Sequence, residues 1–274
     1  MTQKKAEILL AAVIAARATS LLFSKIAMNG MGIFNLLAAR FLMAFVLLAV
    51  VFFKRLRHIK RHTLVRGAIM GALFFLMLST ELTGLKSTPS STVSLLENTA
   101  IILVPMAEAV LRHKLPKAAT AVSALVAIGG VALLTGQSGS FTPGMVLAVM
   151  AAVLYAAAII TTDRFSHEDD PLTLGIVQVG TLGLLALVSS FVFEAPHLPQ
   201  SGTQWLMIAG LAVICTGFGF TLQPVAQSHT TAQRAALSPA CATLLGAAVL
   251  REHISVMGMC GIALILLSLL VPQL

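Results

Sequence analysis

Ten apolar runs, near residues 7–28, 33–53, 67–85, 90–111, 118–135, 143–162, 172–193, 204–225, 231–250 and 255–272, fill this chain almost end to end. Each is about the length that one helical crossing of a bilayer core requires. Polar, glycine and proline breaks separate them, and no stretch is left over for a soluble domain. Charged residues make up 10% of the 274 positions and apolar ones 58%, whereas soluble domains carry roughly a quarter charged residues. Too few charges are present to cover a globular surface, so lipid is the expected solvent. Lipid satisfies no backbone amide, which restricts the chain to helices or a closed barrel. The alternation over about ten residues that marks barrel strands is absent. The expected fold is an all-α membrane protein with ten transmembrane helices. Small residues such as Gly129-Gly130, Ala156 to Ala158, Gly217 and Gly219 suit close helix packing.

A net charge of +8 raises the question of nucleic acid. Its distribution answers against it, because Lys and Arg gather in short segments between apolar runs and form no basic face. Lys4 and Lys5, the six basic residues between Lys54 and Arg66, then Arg112, Lys114, Lys117 and Arg164 all fall on one side if the N-terminus is cytoplasmic. Lys86 and Arg251 fall in loops on the other side. Both termini are therefore expected in the cytoplasm, with the chain crossing a bacterial inner (plasma) membrane many times. Arg17 in the first run and the lack of a cleavage site argue that this run is retained and not a signal peptide. Cys215, Cys241 and Cys260 lie inside apolar runs without metal-ligand spacing and are expected to be small buried residues.

The two halves of the chain are related. Leu111-Arg112-His113-Lys114-Leu115 aligns with Leu250-Arg251-Glu252-His253-Ile254 at an offset of 139 residues, which also brings the fourth and fifth runs onto the ninth and tenth. Residues 1–138 and 139–274 are thus expected to be two repeats of five spans. An odd number of spans per repeat inverts the second copy in the membrane. Charge agrees: residues 54–66 hold six Lys or Arg, and the corresponding loop, Glu194 to Thr203, holds none. Inverted repeats with a binding site at their interface recur among transporters.

With these features the chain resembles the ten-span, EamA-type branch of the drug/metabolite transporter superfamily over nearly its whole length. The resemblance is carried by the duplication, by Arg40-Phe41 with Ala44, by Thr221 to Gln227 (TLQPVAQ), and by Ser238-Pro239 thirteen residues before Glu252. The first half departs from it, with Ala100 where the second has Pro239 and His113 where it has Glu252. The resemblance implies alternating access around a central cavity lined chiefly by spans 1, 3, 4, 6, 8 and 9. It also implies transport of amino acids and other metabolites, often coupled to protons.

Ionisable groups at membrane depth cost about 2.5–3.5 kcal/mol each on insertion scales, so they face the bundle interior and have a partner or a task. Glu97, beside Asn98 in the fourth run, reads as a proton-coupling or cationic-substrate group, or as the structural partner of an arginine. Arg17 reads as an anchor for a carboxylate or phosphate, or as that partner. Arg40 and Glu81 read as a structural pair between spans two and three. Tyr155 needs a partner for its hydroxyl if buried. Gln223 stands beside Pro224, which frees a backbone carbonyl in span eight. Arg234, near the cytoplasmic end of span nine, reads as a gate or a headgroup contact. Lys25, Glu108 and Asp163 are near enough to span ends to snorkel. Phe74, Phe75, Phe218 and Phe220 read as packing or lipid contacts, and His167 to Asp170 as a solvated cytoplasmic loop without a metal.

The expected function is secondary transport, with export the favoured direction, of a small polar metabolite such as an amino acid or related amine. Its partners would be that solute, the bilayer and protons, with the chain acting as a monomer or homodimer and without a cofactor. Flipping of a lipid-linked headgroup, or a non-catalytic receptor or assembly role, are the alternatives. No Walker A, HExxH or GxSxG pattern is present, so neither ATP-driven pumping nor intramembrane catalysis is expected.

Overall fold

The computed structural model describes residues 20–97, 99–111 and 142–229, together with residues 8, 9, 12, 13, 16, 122, 125, 126, 128–130, 260, 263 and 264. Among the described residues every regular element is helical, with no strand. We number the helices α1 (Ser20–Ala27), α2 (Ile33–Val51), α3 (Phe53–Leu56), α4 (Arg61–Leu85), α5 (Ser90–Glu97), α6 (Ala100–Leu111), α7 (Pro143–Glu168), α8 (Pro171–Phe193), α9 (Gly202–Gly210) and α10 (Thr221–Gln227). A π-helical segment, Leu211–Phe220, joins α9 to α10.

Five of these units are long and apolar enough to cross a membrane: α2, α4, α7, α8 and the continuous Gly202–Gln227 rod. They match the second, third, sixth, seventh and eighth apolar runs. The fourth run holds α5 and α6, with residue 98 outside the described residues and Thr99 non-helical. Thr99 lies in a turn between them, its hydroxyl donating to the Leu96 carbonyl at 2.7 Å, while the Ile102 and Leu103 amides restart the ladder on the Thr99 carbonyl. The ninth run lies outside the described residues, and only isolated positions of the first, fifth and tenth are described beyond α1.

Two boundaries differ from the sequence expectation for one reason. Helix α4 begins at Arg61 and not near residue 67, and α7 runs on to Glu168 and not to residue 162. Charged residues that look like loop are the solvated end turns of membrane helices, the first of α4 and the last of α7. The 167–170 segment is accordingly no open loop. Asp170 caps α8, accepting from the Thr173 amide and hydroxyl, and Pro171 fills the first helical position, where no amide hydrogen is needed. Asp169 reaches back to α4: Thr63 Oγ1 donates to its Oδ1 at 2.8 Å, and His62 Nδ1 lies 2.8 Å from its Oδ2. Arg66 pairs with Glu168 at 2.6 Å. Burial pushes the Asp169 carboxyl up, yet the bonds from Thr63, His62 and the Asp170 amide outweigh it and hold the group below the ordinary value of 3.8.

A second carboxylate clamps the opposite ends of two helices. Gly32 precedes α2 and offers no side-chain cap. Glu194, which follows α8, takes that place, accepting from the Phe34 amide at 3.2 Å and the Asn35 amide at 2.9 Å. A side chain at Gly32 would collide with this carboxylate. The charge at a helix N-terminus is stabilising there, and it explains why a loop with no Lys or Arg still carries Glu194.

The principal packing order is α2 on α8, α8 on α4, and α4 on α7, with α5 and α6 also against α7. Neighbours in this order come alternately from the two halves of the chain, so the halves interleave. Lipid supplies no hydrophobic drive between helices, and close backbone approach must do that work. A Cβ at Gly71 of α4 would stand 2.7 Å from the Gln178 carbonyl of α8, and one at Gly84 would stand 2.8 Å from the Gly144 carbonyl of α7. On the far side of α8, a Cβ at Gly180 would meet the Phe45 ring of α2 at 2.7 Å.

Candidate functional site

At the centre of this bundle four aromatic rings from four elements meet. Phe41 of α2 and Phe74 of α4 each stand edge-on to Phe220 of the π-helical segment, with centroids 5.3 Å apart, and Phe74 also meets Tyr155 of α7 at 6.4 Å. All four are essentially inaccessible. Edge-to-face pairs contribute about 0.5–1.5 kcal/mol each beyond the area they bury. Phe74 and Phe220 therefore pack, while Phe218, 37% exposed, faces outward.

Arg40 borders the cluster and is 1% exposed. Its Nε donates to Thr216 Oγ1 at 2.7 Å and its Nη1 to Ser20 Oγ at 2.8 Å, and its guanidinium lies 4.8 Å from the centre of the Phe41 ring. One side chain thus ties α1, α2 and the π-helical segment together. Glu81 is also buried, on α4.

The π-helical segment has a local cause. Pro224, inside α10, has no amide hydrogen and its ring clashes with the carbonyl four residues back. The ladder widens before it: the Thr221 amide reaches the Thr216 carbonyl, five residues back. Just before the proline, Gln223 is 2% exposed, and its Nε2 donates to Gln227 Oε1 at 3.3 Å. Gln227 in turn donates to the Ile159 carbonyl of α7 at 3.5 Å, one turn from Tyr155. This relay of amides ties α10 to α7 one turn from Tyr155, whose ring packs on Phe74.

Glu97 is 4% exposed and is the last described residue of α5, two positions before the turn at Thr99. Asn98, Arg17 and Arg234 lie outside the described residues. So does Cys241; Cys215 is buried, but Cys260 is exposed and not buried as expected. A thiol is apolar enough to face acyl chains, so burial does not follow from an apolar run.

Two buried groups escaped the sequence reading. Among the described residues, neither amide atom of Gln178 on α8 has a hydrogen-bond partner, nor does the Thr162 hydroxyl on α7. Both helices pack against α10. The signal for Gln178 was a lone amide inside the apolar stretch Ile176-Val177-Gln178-Val179, outweighed by the charged residues elsewhere. Among the described residues no group of His, Cys, Asp and Glu could hold a metal ion.

Long apolar helices with ionisable and amide groups sealed between them define a multi-pass helical membrane protein with a polar interior. Its family follows from sequence. The EamA-like transporter family matches the chain twice, over residues 4–136 and 142–271, and the protein belongs to that family of membrane transporters within the drug/metabolite transporter superfamily. No curated protein sequence matches the chain. One solved structure, titled only as the crystal structure of a protein, is 19% identical and superposes with a TM-score of 0.75 over 99% of this chain and 97% of its own. At that identity it is similar in fold alone.

Proposed function

We propose that this transporter moves a small polar metabolite, an amino acid or related amine, outward across the bacterial inner membrane by proton-coupled alternating access. Glu97 carries the coupling. The observation that supports this best is its burial beside the interruption of span four, since a broken helix at membrane depth is where transporters bind solutes and ions. Tyr155 and Gln223 face the solute along the α7–α10 seam, joined by the unmet amide of Gln178 and hydroxyl of Thr162. Asn98, Arg17 and Arg234 complete the pathway, with Arg17 receiving the carboxylate of the solute. Arg40 and Glu81 form the structural pair of the outer half. The two five-span repeats lie inverted, both termini face the cytoplasm, and the chain works as a monomer or homodimer.

The moving units in this scheme mix the two halves of the sequence. Interfaces closed through glycine, such as Gly71 on Gln178 and Gly84 on Gly144, cross from one half to the other. Closely packed surfaces move as one body, so each rocking unit contains helices of both repeats.

Reconstitution into proteoliposomes with amino acids and amines under an imposed pH gradient tests the reading. Glu97→Gln is expected to abolish the pH dependence of transport while the protein remains folded. An unaltered pH profile in that variant removes the coupling role, and failure of every amino acid and amine to move removes the solute class.

A further inference from the structure

We propose that the protein holds an anionic phospholipid at the end of α2, with the phosphate in a basic pocket and one acyl chain in the apolar groove beside it. The pocket has a volume of about 460 Å³ and is walled by Lys54, Arg55, His58 and Lys60 before α4, and by Asp170 and Thr173 at the start of α8. Its charges are unbalanced. Asp170 lies 3.6 Å from Arg55 and already accepts from Thr173. Among the described residues, no carboxylate stands within ion-pair distance of Lys54, His58 or Lys60, although the neighbouring His62 and Arg66 are both paired. Lys54, Arg55 and Lys60 set three cations against the one carboxylate of Asp170, which suits a phosphate diester.

The groove has a volume of about 330 Å³ and is walled by Leu47, Leu48 and Val51 of α2, Val213 and Phe218 of the π-helical segment, and Leu172 of α8. Leu47 and Val51 are 49% and 72% exposed, so the groove opens toward the acyl chains of the membrane. Residues close in sequence line the two cavities on both walls. Phe52 lines the groove and Lys54 the pocket; Leu172 lines the groove and Thr173 the pocket. A soluble phosphate would use the pocket and ignore the groove, and a neutral lipid would do the reverse. A lipid with an anionic headgroup uses both, and the helix ends that frame the pocket belong at headgroup depth.

Native mass spectrometry and thermal unfolding of the full chain in neutral detergent test the site, with phosphatidylglycerol, phosphatidylcholine and inorganic phosphate as probes. Phosphatidylglycerol is expected to be retained and to raise the unfolding temperature, and phosphatidylcholine is not. The exposed double substitution Lys54→Gln/Lys60→Gln should weaken retention by roughly tenfold to thirtyfold. High salt should weaken it in the unaltered protein as well, which needs no variant. Val51→Trp, which fills the groove, should weaken phosphatidylglycerol but leave phosphate unaffected. Equal retention of the two lipids overturns the proposal, as does phosphatidylglycerol binding unchanged in the lysine variant. If inorganic phosphate alone reproduces the stabilisation, the pocket is a site for a free anion and the lipid assignment fails.

Discussion

Arg40 holds three elements by directed bonds, which makes its geometry and not only its charge the thing to perturb. Arg40→Lys keeps the charge but cannot reproduce the Nε bond to Thr216 or the flat contact with Phe41. We expect it to lower stability by about 1–3 kcal/mol in thermal unfolding. Thr216→Val should reproduce part of that loss, and an unchanged midpoint in both would show that the bonds contribute nothing net. Asp169 gives a pH-dependent counterpart. Its folded pKa is depressed, so the stabilisation it supplies is present above the unfolded value and disappears as pH falls through the folded one. Asp169→Asn is therefore expected to destabilise at neutral pH, with the gap to the unaltered protein closing below about pH 4. A gap of constant size at acid pH would contradict the sign. Glu97, Tyr155, Gln223 and Arg40 were legible in the sequence because a polar group in an apolar run is conspicuous. The partner of Arg40 was not, since Thr216 lies 176 residues away and only the fold brings the two together.

For the five long helices that the structure describes, existence and order followed from hydropathy alone, but helix ends did not. At Arg61 and at Glu168 the charged turns belong to the helices, because the ends of a membrane helix stand in water and hydropathy cannot separate a solvated turn from a loop. The carbonyl freed by Pro224 was legible, but the π-helical segment before it was not. Glycines decide packing at this scale, and their context decides what each will tolerate. A methyl group at Gly71 would meet the Gln178 carbonyl at 2.7 Å, where backbone and not a flexible side chain would have to yield. Gly202 opens α9 with nothing within 4 Å of a methyl group there. Gly71→Ala should cost about 1–3 kcal/mol, and Gly202→Ala should be neutral or stabilising by up to about 1 kcal/mol. Thermal unfolding of the pair checks both, and equal effects would mean that the α4–α8 contact does not limit stability.

The duplication was visible in sequence, whereas the interleaving of its two copies was not, because an offset of 139 residues says nothing about which helix lies beside which. In the structure α8 sits between α2 and α4, and α4 between α8 and α7, so each half supplies the surface that the other needs. Apart from its partner, the first half would leave Gly67 and Gly71 of α4 facing lipid without the α8 atoms that meet them, and the second would leave Gly180 and Gly183 of α8 without those of α2. Helix association in lipid depends on such close packing, so neither half has a substitute partner in the membrane. Residues 1–138 and 139–274 expressed as separate chains are therefore expected to give no monodisperse species in detergent, while the two co-expressed should recover a complex that unfolds cooperatively. Size-exclusion chromatography and thermal unfolding distinguish these results. A well-folded 1–138 chain on its own would mean that the contacts crossing between the halves are secondary, and that each repeat, not a mixed group of helices, is the unit that moves.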